Sequence, residues 1–394
     1  MKRQTKRRGQ VKNNIALCFA FRALGGLGPT DGVWVLFMAS KGLALWQIGL
    51  LEGVFHVTSL LFEVPSGAMA DLLGRRRVLF LSRVMGIASS VVMVLSSSFL
   101  PLCAGFVLAA LNYNLTSGTE EALLYDSLLQ LGREEEYLKT AGRMSFVWET
   151  GHAIGMLAGG FLARTSYLLC YLADIVVGAA GGVTSLLMAE PEPSRRETRE
   201  RVTLAAHFRS SWAVIRDHAD VRAILLRYCA LFAFYTSAFF YSQELYKGLG
   251  FDEAGIGLIL LLMGACASAG ALLSARIAAH LHGKTRAAGG VLLGVGLLLM
   301  GGRRVWLSIV GFGLASMANT MLEPLQSAEL NSLIPSAQRA TVISVGSMCF
   351  SCVMVVLFPA IGALAGRLGL SQTLALLGGG LTAVELLALF LTEC

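Results

Sequence analysis

The sequence predicts an all-α membrane protein of twelve transmembrane helices, arranged as two pseudo-symmetric six-helix bundles. Hydrophobic residues make up 55% of the 394 residues and charged residues only 14%, whereas soluble domains carry about 25% charged residues. Twelve apolar stretches are long enough to cross a bilayer, since a helical span needs about 20 residues. One long polar segment, 190–221, separates six stretches from the other six. This composition excludes a soluble enzyme and a disordered chain.

Each apolar stretch is predicted to be one helical span. Only helices and closed barrels satisfy the backbone in lipid, and these stretches lack the alternation of barrel strands. The predicted spans are 14–38, 46–70, 77–97, 100–128, 138–163, 166–188, 223–245, 253–279, 286–302, 305–332, 338–364 and 370–391.

The basic residues predict the orientation. Of 32 Lys and Arg, 23 lie in the N-terminal tail, in the alternate loops that share its side or in the span ends that adjoin those loops. Six lie on the opposite side, and Arg22, Arg83 and Arg227 lie within spans. By the positive-inside rule, both termini are expected in the cytoplasm, with the protein in the inner (plasma) membrane.

Three segments are expected: an N-terminal bundle at 1–189, a cytoplasmic linker at 190–221 and a C-terminal bundle at 222–394. Apolar residues at 204, 208, 212 and 215 predict an amphipathic helix on the membrane surface within the linker. Asp126-Ser127-Leu128 and Asn331-Ser332-Leu333 end corresponding spans of the two halves, which indicates an internal repeat.

A dense motif follows span two: Gly67-Ala-Met69-Ala70-Asp71-Leu-Leu-Gly74-Arg75-Arg76-Arg77-Val-Leu79. It resembles the signature G-x-L-a-D-r-x-G-r-k-x-x-l of the major facilitator superfamily, except that Leu72 replaces the first Arg. A merely basic cytoplasmic loop would not need the Gly-Asp-Gly spacing. The resemblance implies a secondary transporter, and the motif, with Arg75 and Arg76, is expected to form part of the cytoplasmic gate.

Individual roles follow from the chemistry of the motif. Gly67 is expected to let helices approach closely, and Gly74 to allow a tight turn. Asp71 is expected to cap a neighbouring helix N-terminus. Asp126, near the cytoplasmic end of span four, is expected to lie within reach of Arg75 as the gate contact.

Span five contains Gly151-His152-Ala-Ile-Gly155-Met156-Leu-Ala-Gly159-Gly160. This resembles the superfamily's antiporter signature g-x-x-x-G-P-x-x-G-G, with Met156 in place of Pro. The glycines are expected to pack tightly against a helix of the other half, and the resemblance implies export. The missing Pro, and the absence from span four of the Arg usual in drug antiporters of the family, favour the alternative, a proton-coupled importer of a small metabolite.

Three ionisable residues share one depth in the predicted membrane. Helical rise places Arg22 on span one level with Glu120 and Glu121 on span four. Because a charge at this depth costs about 2.5–3.5 kcal/mol on insertion scales, Arg22 is expected to face one of the two carboxylates. The pair either fixes packing or carries out proton coupling, and both interpretations stay open at this point.

Candidate substrate contacts are Tyr113 in span four, Tyr235 in span seven, and Asn319 and Glu323 in span ten. The Glu323-Pro324 step is expected to break span ten near mid-membrane, because Pro removes a backbone donor. Aromatic walls with few charges suit lipophilic or weakly cationic cargo.

Together these patterns predict a transporter that exports a small, fairly lipophilic compound in exchange for protons. Its expected partners are the substrate, protons and the lipid bilayer, not nucleic acid, and it is expected to act as a monomer. No cofactor or metal is expected, since the sequence has neither a Walker-type phosphate loop nor a metal-binding motif. An enzyme or a receptor is the least favoured class, because the sequence lacks a catalytic set and its loops leave no room for a signalling domain.

Overall fold

A computed structural model of the chain describes residues 2–191, 216, 218–281, 285–302, 304–333 and 339–391. The predicted amphipathic helix at 204–215 lies outside these residues. The first eight helices are α1 Lys2–Gly26, α2 Trp34–Ser40, α3 Leu45–Leu73, α4 Arg75–Leu95, α5 Phe99–Thr116, α6 Thr119–Leu131, α7 Tyr137–Thr165 and α8 Tyr167–Leu187. The others are α9 Ala219–Gly248, α10 Glu253–Leu281, α11 Thr285–Met300, α12 Val305–Leu333, α13 Arg339–Leu368 and α14 Leu370–Leu391.

The predicted spans are helical over most of their described residues, which confirms the all-helical membrane fold. Within the described part of the chain, nine helical segments are long and apolar enough to cross a membrane. They correspond to all the predicted spans except one, five and nine. Span nine is a shorter apolar helix, Arg286–Met300, span one is divided between α1 and α2, and span five carries charged residues along α7.

Spans one and four each consist of two helices. In span one, α1 ends at Gly26 and the turn that follows contains Gly28 and Pro29, which disfavour continuation of a helix. In span four, α5 ends at Thr116 and α6 begins at Thr119. Gly118 between them has φ 72°, a left-handed conformation that suits glycine. This second break places Glu120 and Glu121 in the first turn of α6.

The predicted break of span ten is wrong. Helix α12 continues from Val305 to Leu333 with Pro324 inside it. Neighbouring groups in membrane helix bundles can compensate for the backbone hydrogen bond that Pro removes, so a Pro-containing span can stay continuous. Interruptions occur instead in span one, after Gly26, and in span four, at Gly118.

The chain divides into two compact units. The first consists of residues 1–33 and 54–207, and the second of residues 34–53 and 208–394. The sequence boundaries at 189 and 221 remain a prediction. In the first unit, Cys18, Phe21, Leu79 and Leu123 belong to a buried apolar cluster.

Helix α2 and the start of α3 are built into the second unit. The Tyr241 hydroxyl on α9 donates to the backbone oxygens of Leu45, at 3.1 Å, and Phe358, at 3.0 Å. The Tyr241 ring stacks on Phe358 with centroids 4.4 Å apart. A Cβ atom on Gly49 would lie 2.6 Å from the Pro359 Cα, so glycine is needed for this close approach.

Candidate functional site

The gate motif joins three helices of the first unit. The guanidinium of Arg75, at the start of α4, forms a short ion pair with Asp126 on α6 and donates to the Ala122 carbonyl at 2.6 Å. Both charged side chains are largely buried, at 20% and 12% exposed. The predicted contact between Arg75 and Asp126 is therefore confirmed, while its part in gating stays a prediction.

The N-terminus of α4 is held by Glu190, not by Asp71. Glu190, just past α8, accepts hydrogen bonds from the backbone N–H groups of Arg75, at 2.8 Å, and Arg76, at 3.0 Å. Asp71 is exposed, so the expectation that it caps a neighbouring helix is wrong for this terminus. A carboxylate at a helix N-terminus contributes about 0.3–1 kcal/mol. Glu190 was missed because it stands far along the chain from the helix that it caps.

The two motif glycines differ. Gly74 has φ 88° and forms the tight turn between α3 and α4, as predicted. Gly67 is exposed, and a Cβ atom there would meet nothing within 4 Å. The expectation of a close helix approach at Gly67 is therefore wrong.

We expect Arg75→Ala to shift the population towards the inward-open state. The substitution leaves the Asp126 carboxylate largely buried without its cation, at a cost of about 1–3 kcal/mol. Since only a few kcal/mol separate alternating states, a change of this size is visible as altered distances between spin labels at the cytoplasmic ends of the two halves. Arg77→Ala, which changes an exposed basic residue of the same loop, is the control. If the distance distribution is unchanged and the melting temperature is lower, the pair stabilises one unit and does not take part in gating.

The loop from α6 to α7 is held by a local ion pair. Gly132 ends α6 in a left-handed conformation with φ 72°. Arg133 then donates from Nε and Nη2 to the two carboxylate oxygens of Glu136 at 2.6 and 2.7 Å. This hydrogen bonding holds the pKa of Glu136 below its ordinary value.

The predicted pair in span one and span four is present. Arg22 Nη1 lies 3.1 Å from Glu120 Oε2, and Glu120 is only 2% exposed. Glu121 is exposed on the same turn. The N-terminus of α6 and Arg22 both stabilise the Glu120 carboxylate, which offsets only part of the cost of its burial.

The pair lies in an incompletely satisfied polar cluster. Glu120 Oε1, Arg22 Nε and Arg83 Nε are buried without a hydrogen-bond partner among the described residues. Arg83 on α4 lies over the Phe21 ring, 4.0 Å from its centroid. Leaving a buried polar group unpaired costs about 1–3 kcal/mol, so a hydrogen-bond partner for any of these groups would stabilise the protein. Arg83 was recognised in the sequence as a charge within a span but was given no role.

The glycines of span five pack against their own unit. A Cβ atom on Gly151 would lie 3.2 Å from the Ala23 carbonyl oxygen, and one on Gly155 would lie 2.9 Å from Gly28 N. One on Gly159 would overlap the Pro29 backbone, and Gly160 is also buried. The expectation that this stripe packs against the other half is therefore wrong for these contacts. The stripe receives the end of α1 and the turn after it.

In the second unit, two of the predicted substrate residues lie close to the same part of α12. The Tyr235 hydroxyl lies 3.2 Å from Ser316 Oγ, and Ser316 is one helical turn from Asn319. Asn319 Oδ1 is buried without a hydrogen-bond partner in the described part of the chain. Glu323 is exposed, one turn further along α12.

Tyr113, in the first unit, is 57% exposed. Its ring centroid lies 5.9 Å from that of Phe55 on α3. The structure thus associates Tyr113 with α3, while its role as a substrate contact remains a prediction.

A second buried ion pair was not predicted. Arg227 on α9 donates from Nε to Glu385 Oε1 at 3.2 Å and forms a short contact from Nη2. A Cβ atom on Gly290 would lie 2.6 Å from the Glu385 carboxyl carbon, so the glycine makes room for the carboxylate. Arg227 follows Arg22 by 205 positions, the spacing that also relates Asp126 to Asn331. The internal repeat was a sequence signal for Arg227 but not for Glu385, because the position that corresponds to Glu120 is Leu325.

Comparison with known proteins identifies the family. Residues 15–349 match the model of the Major Facilitator Superfamily. The chain belongs to this superfamily. Members of this superfamily are membrane transporters of small molecules, and the membrane-length helices in the described part of the chain agree with membership.

Individual relatives of this superfamily member are distant. It is 25% identical over 268 residues to the uncharacterized MFS-type transporter YxaM of Bacillus subtilis (strain 168), covering 64% of this chain and 63% of that protein. It is 21% identical over 229 residues to the quinolone resistance protein NorA of Staphylococcus aureus (strain MRSA252), covering 57% of each. These matches span less than two thirds of either relative.

Solved structures agree on the fold of this superfamily member. The crystal structure of the nucleoside transporter NupG superimposes with a TM-score of 0.74, at 12% identity, over 98% of this chain and 99% of that one. At this identity the likeness concerns the fold alone.

Proposed function

We propose that this superfamily member exports a small, fairly lipophilic compound, a drug or a metabolite, in exchange for protons by alternating access. The observation that carries the proposal is the Arg22–Glu120 pair. The Glu120 carboxylate is 2% exposed, with one oxygen 3.1 Å from an arginine and the other without a hydrogen-bond partner in the described ranges. Protonation of such a group changes the local contacts. Loss of its charge releases Arg22, which couples proton binding to helix packing.

Two further observations support export of a lipophilic cargo. The partial match to a quinolone resistance protein associates the chain with drug efflux. The partly exposed rings of Tyr235 and Phe239 lie with centroids 6.2 Å apart in the second unit, and Phe239 packs on the buried Phe312 at 6.1 Å. Such surfaces favour apolar or weakly cationic compounds. We place the protein in the plasma membrane with both termini in the cytoplasm, from the distribution of Lys and Arg.

The direction is tested in cells exposed to lipophilic antibiotics. Expression is expected to lower accumulation of the transported compound, because proton entry drives the compound out. A protonophore should restore accumulation, and cells expressing Glu120→Gln serve as the non-coupled control. Higher accumulation in expressing cells that disappears with the gradient would overturn export.

The second candidate is a proton-coupled importer of a small metabolite. It is favoured by Met156, which stands where the antiporter signature has Pro, and by the absence of an Arg from 108–114 of span four. Uptake into right-side-out vesicles at acidic external pH, screened over metabolites, tests this alternative.

A further inference from the structure

A second titratable pair lies beyond the end of α1, separate from the Arg22–Glu120 pair. His152 Nε2 on α7 is 3.2 Å from Asp31 Oδ2, and the two side chains are 26% and 49% exposed. Imidazole is the side chain whose ordinary titration falls between about pH 5 and pH 8. The pair therefore combines a group that changes charge in the physiological range with partial access for water.

The backbone holds Asp31 in this position. The segment after α1 is received by the glycine stripe, since Gly155 lies against Gly28 and Gly159 lies against Pro29. The next residue, Thr30, donates a short hydrogen bond from Oγ1 to Asp174 on α8. Side chains at 155 or 159 would displace this turn. Packing on the glycines thus fixes the position of the turn, and in this position Asp31 lies within reach of His152.

Trp148 connects this pair to the Arg22–Glu120 pair. Its ring stacks on His152, with centroids 6.2 Å apart and planes inclined by 14°. The same ring lies 4.7 Å from the guanidinium carbon of Arg22. A positive charge that appears on His152 therefore acts on the ring that also holds Arg22, through the attraction between cations and aromatic faces.

The groups around the pair come from three helices, α1, α7 and α8, besides the turn itself. Glu149 on α7 interacts electrostatically with His152. On α8, Tyr171 and Asp174 interact with Asp31, and Cys170 interacts with Asp174. Trp148 and Arg22 complete the surroundings on the side of α1. A proton that binds here consequently enters a predominantly acidic environment.

We propose that Asp31 and His152 form a second proton-binding pair, which exchanges protons with water on the side opposite the N-terminal tail and acts on Arg22 through Trp148. This inference rests on the proposed proton-coupled transport. It assigns the proton two successive positions in the first unit. Span one runs away from the N-terminal tail, and Asp31 follows Arg22 by nine residues in it, so the Asp31–His152 pair is expected farther from the tail's side than Glu120, which contacts Arg22.

The test uses inside-out vesicles, whose lumen corresponds to the outside of the cell. The probe is a compound whose accumulation the full-length protein lowers in cells. Its uptake is measured while the lumenal pH is varied between about 5 and 8 and the external pH is held constant. Above the titration point of one required group, the rate falls about tenfold per pH unit. The native protein is expected to follow this dependence.

The variants are His152→Gln and Asp31→Asn, each of which can still form a hydrogen bond but cannot titrate. Both are expected to flatten the lumenal pH dependence to less than about twofold, while substrate exchange without a gradient stays close to the native rate. His56→Gln is the matched control, a buried histidine of the same unit on α3, and should keep the native dependence. A purely structural pair would leave the pH profile unchanged.

The outcomes separate the two proposals. Gradient-driven uptake by the native protein together with full lumenal pH response in both variants overturns the second pair alone. Native uptake that ignores the pH gradient overturns both the proposed function and the second pair. Modification of His152 by diethyl pyrocarbonate gives a readout that does not depend on transport. If His152 is not modified at any pH, water does not reach the pair and the proposal is wrong.

Discussion

Glu120→Gln is expected to abolish pH-driven transport while leaving substrate exchange intact. The amide keeps the shape of the carboxyl group but cannot gain or lose a proton, so the buried side chain behaves as if it were always protonated. Loss of a required proton-transfer group lowers rates by about 10²–10⁴-fold. The expected fall in gradient-driven uptake is therefore about a hundredfold, measured in vesicles with an imposed pH gradient.

Glu121→Gln is the matched control for this experiment. It makes the same chemical change on the next residue, which is exposed and lies outside the pair with Arg22. We expect it to keep gradient-driven uptake. Undiminished uptake in both variants would remove these glutamates from proton coupling. Loss of exchange as well as uptake in Glu120→Gln would make the pair a packing element.

Gly155→Val is expected to stop turnover without stopping expression. The new side chain meets backbone atoms, with Gly28 N and Gly26 O at 2.9 and 3.1 Å from its Cβ position, and backbone moves aside less easily than the end of a flexible side chain. Overpacking typically costs about 1–3 kcal/mol, a cost that a folded bundle can absorb by displacing the turn after α1. A displaced turn no longer packs on α7, so the movement of α1 that turnover requires is expected to fail.

Gly142→Val tests the same substitution where space is free. It lies on the same helix, and a Cβ atom there would meet nothing within 4 Å. We expect native turnover from it, measured as substrate counterflow for protein that elutes as a single species. Equal counterflow in the two variants would show that the close approach at Gly155 is not needed.

The Arg22–Glu120 pair could be predicted from the sequence, because the helical rise relates a residue's position along a span to its depth in the membrane. Arg22 and Glu120 lie on spans that run in opposite directions, and a rise of about 1.5 Å per residue was enough to bring them level. The choice between Glu120 and Glu121 was beyond such reasoning. It depends on the rotation of α6, which the left-handed turn at Gly118 determines.

The segment that packs on a glycine-rich helix face, and the effect of a proline within a helix, were harder to predict. Glycines at 151, 155 and 159 identify a helix face that accepts close contact, but not the segment that fills it, and the segment proved to be the turn after α1. Pro324 satisfied a local rule for breaking a helix, yet α12 continues through it. In both cases tertiary contacts decide the outcome, and they are not encoded in the local pattern.

The hydrogen bonds around Glu190 determine where the chain can be cut. Asn14 on α1 binds both the N–H and the carbonyl of Ala189 at 2.8 Å, and Glu190 then caps α4. A fragment that ends at 189 would lose that cap, although it would contain every predicted span of the first half. Co-expressed halves divided after Pro191 should therefore reassociate into an active protein more readily than halves divided two residues earlier.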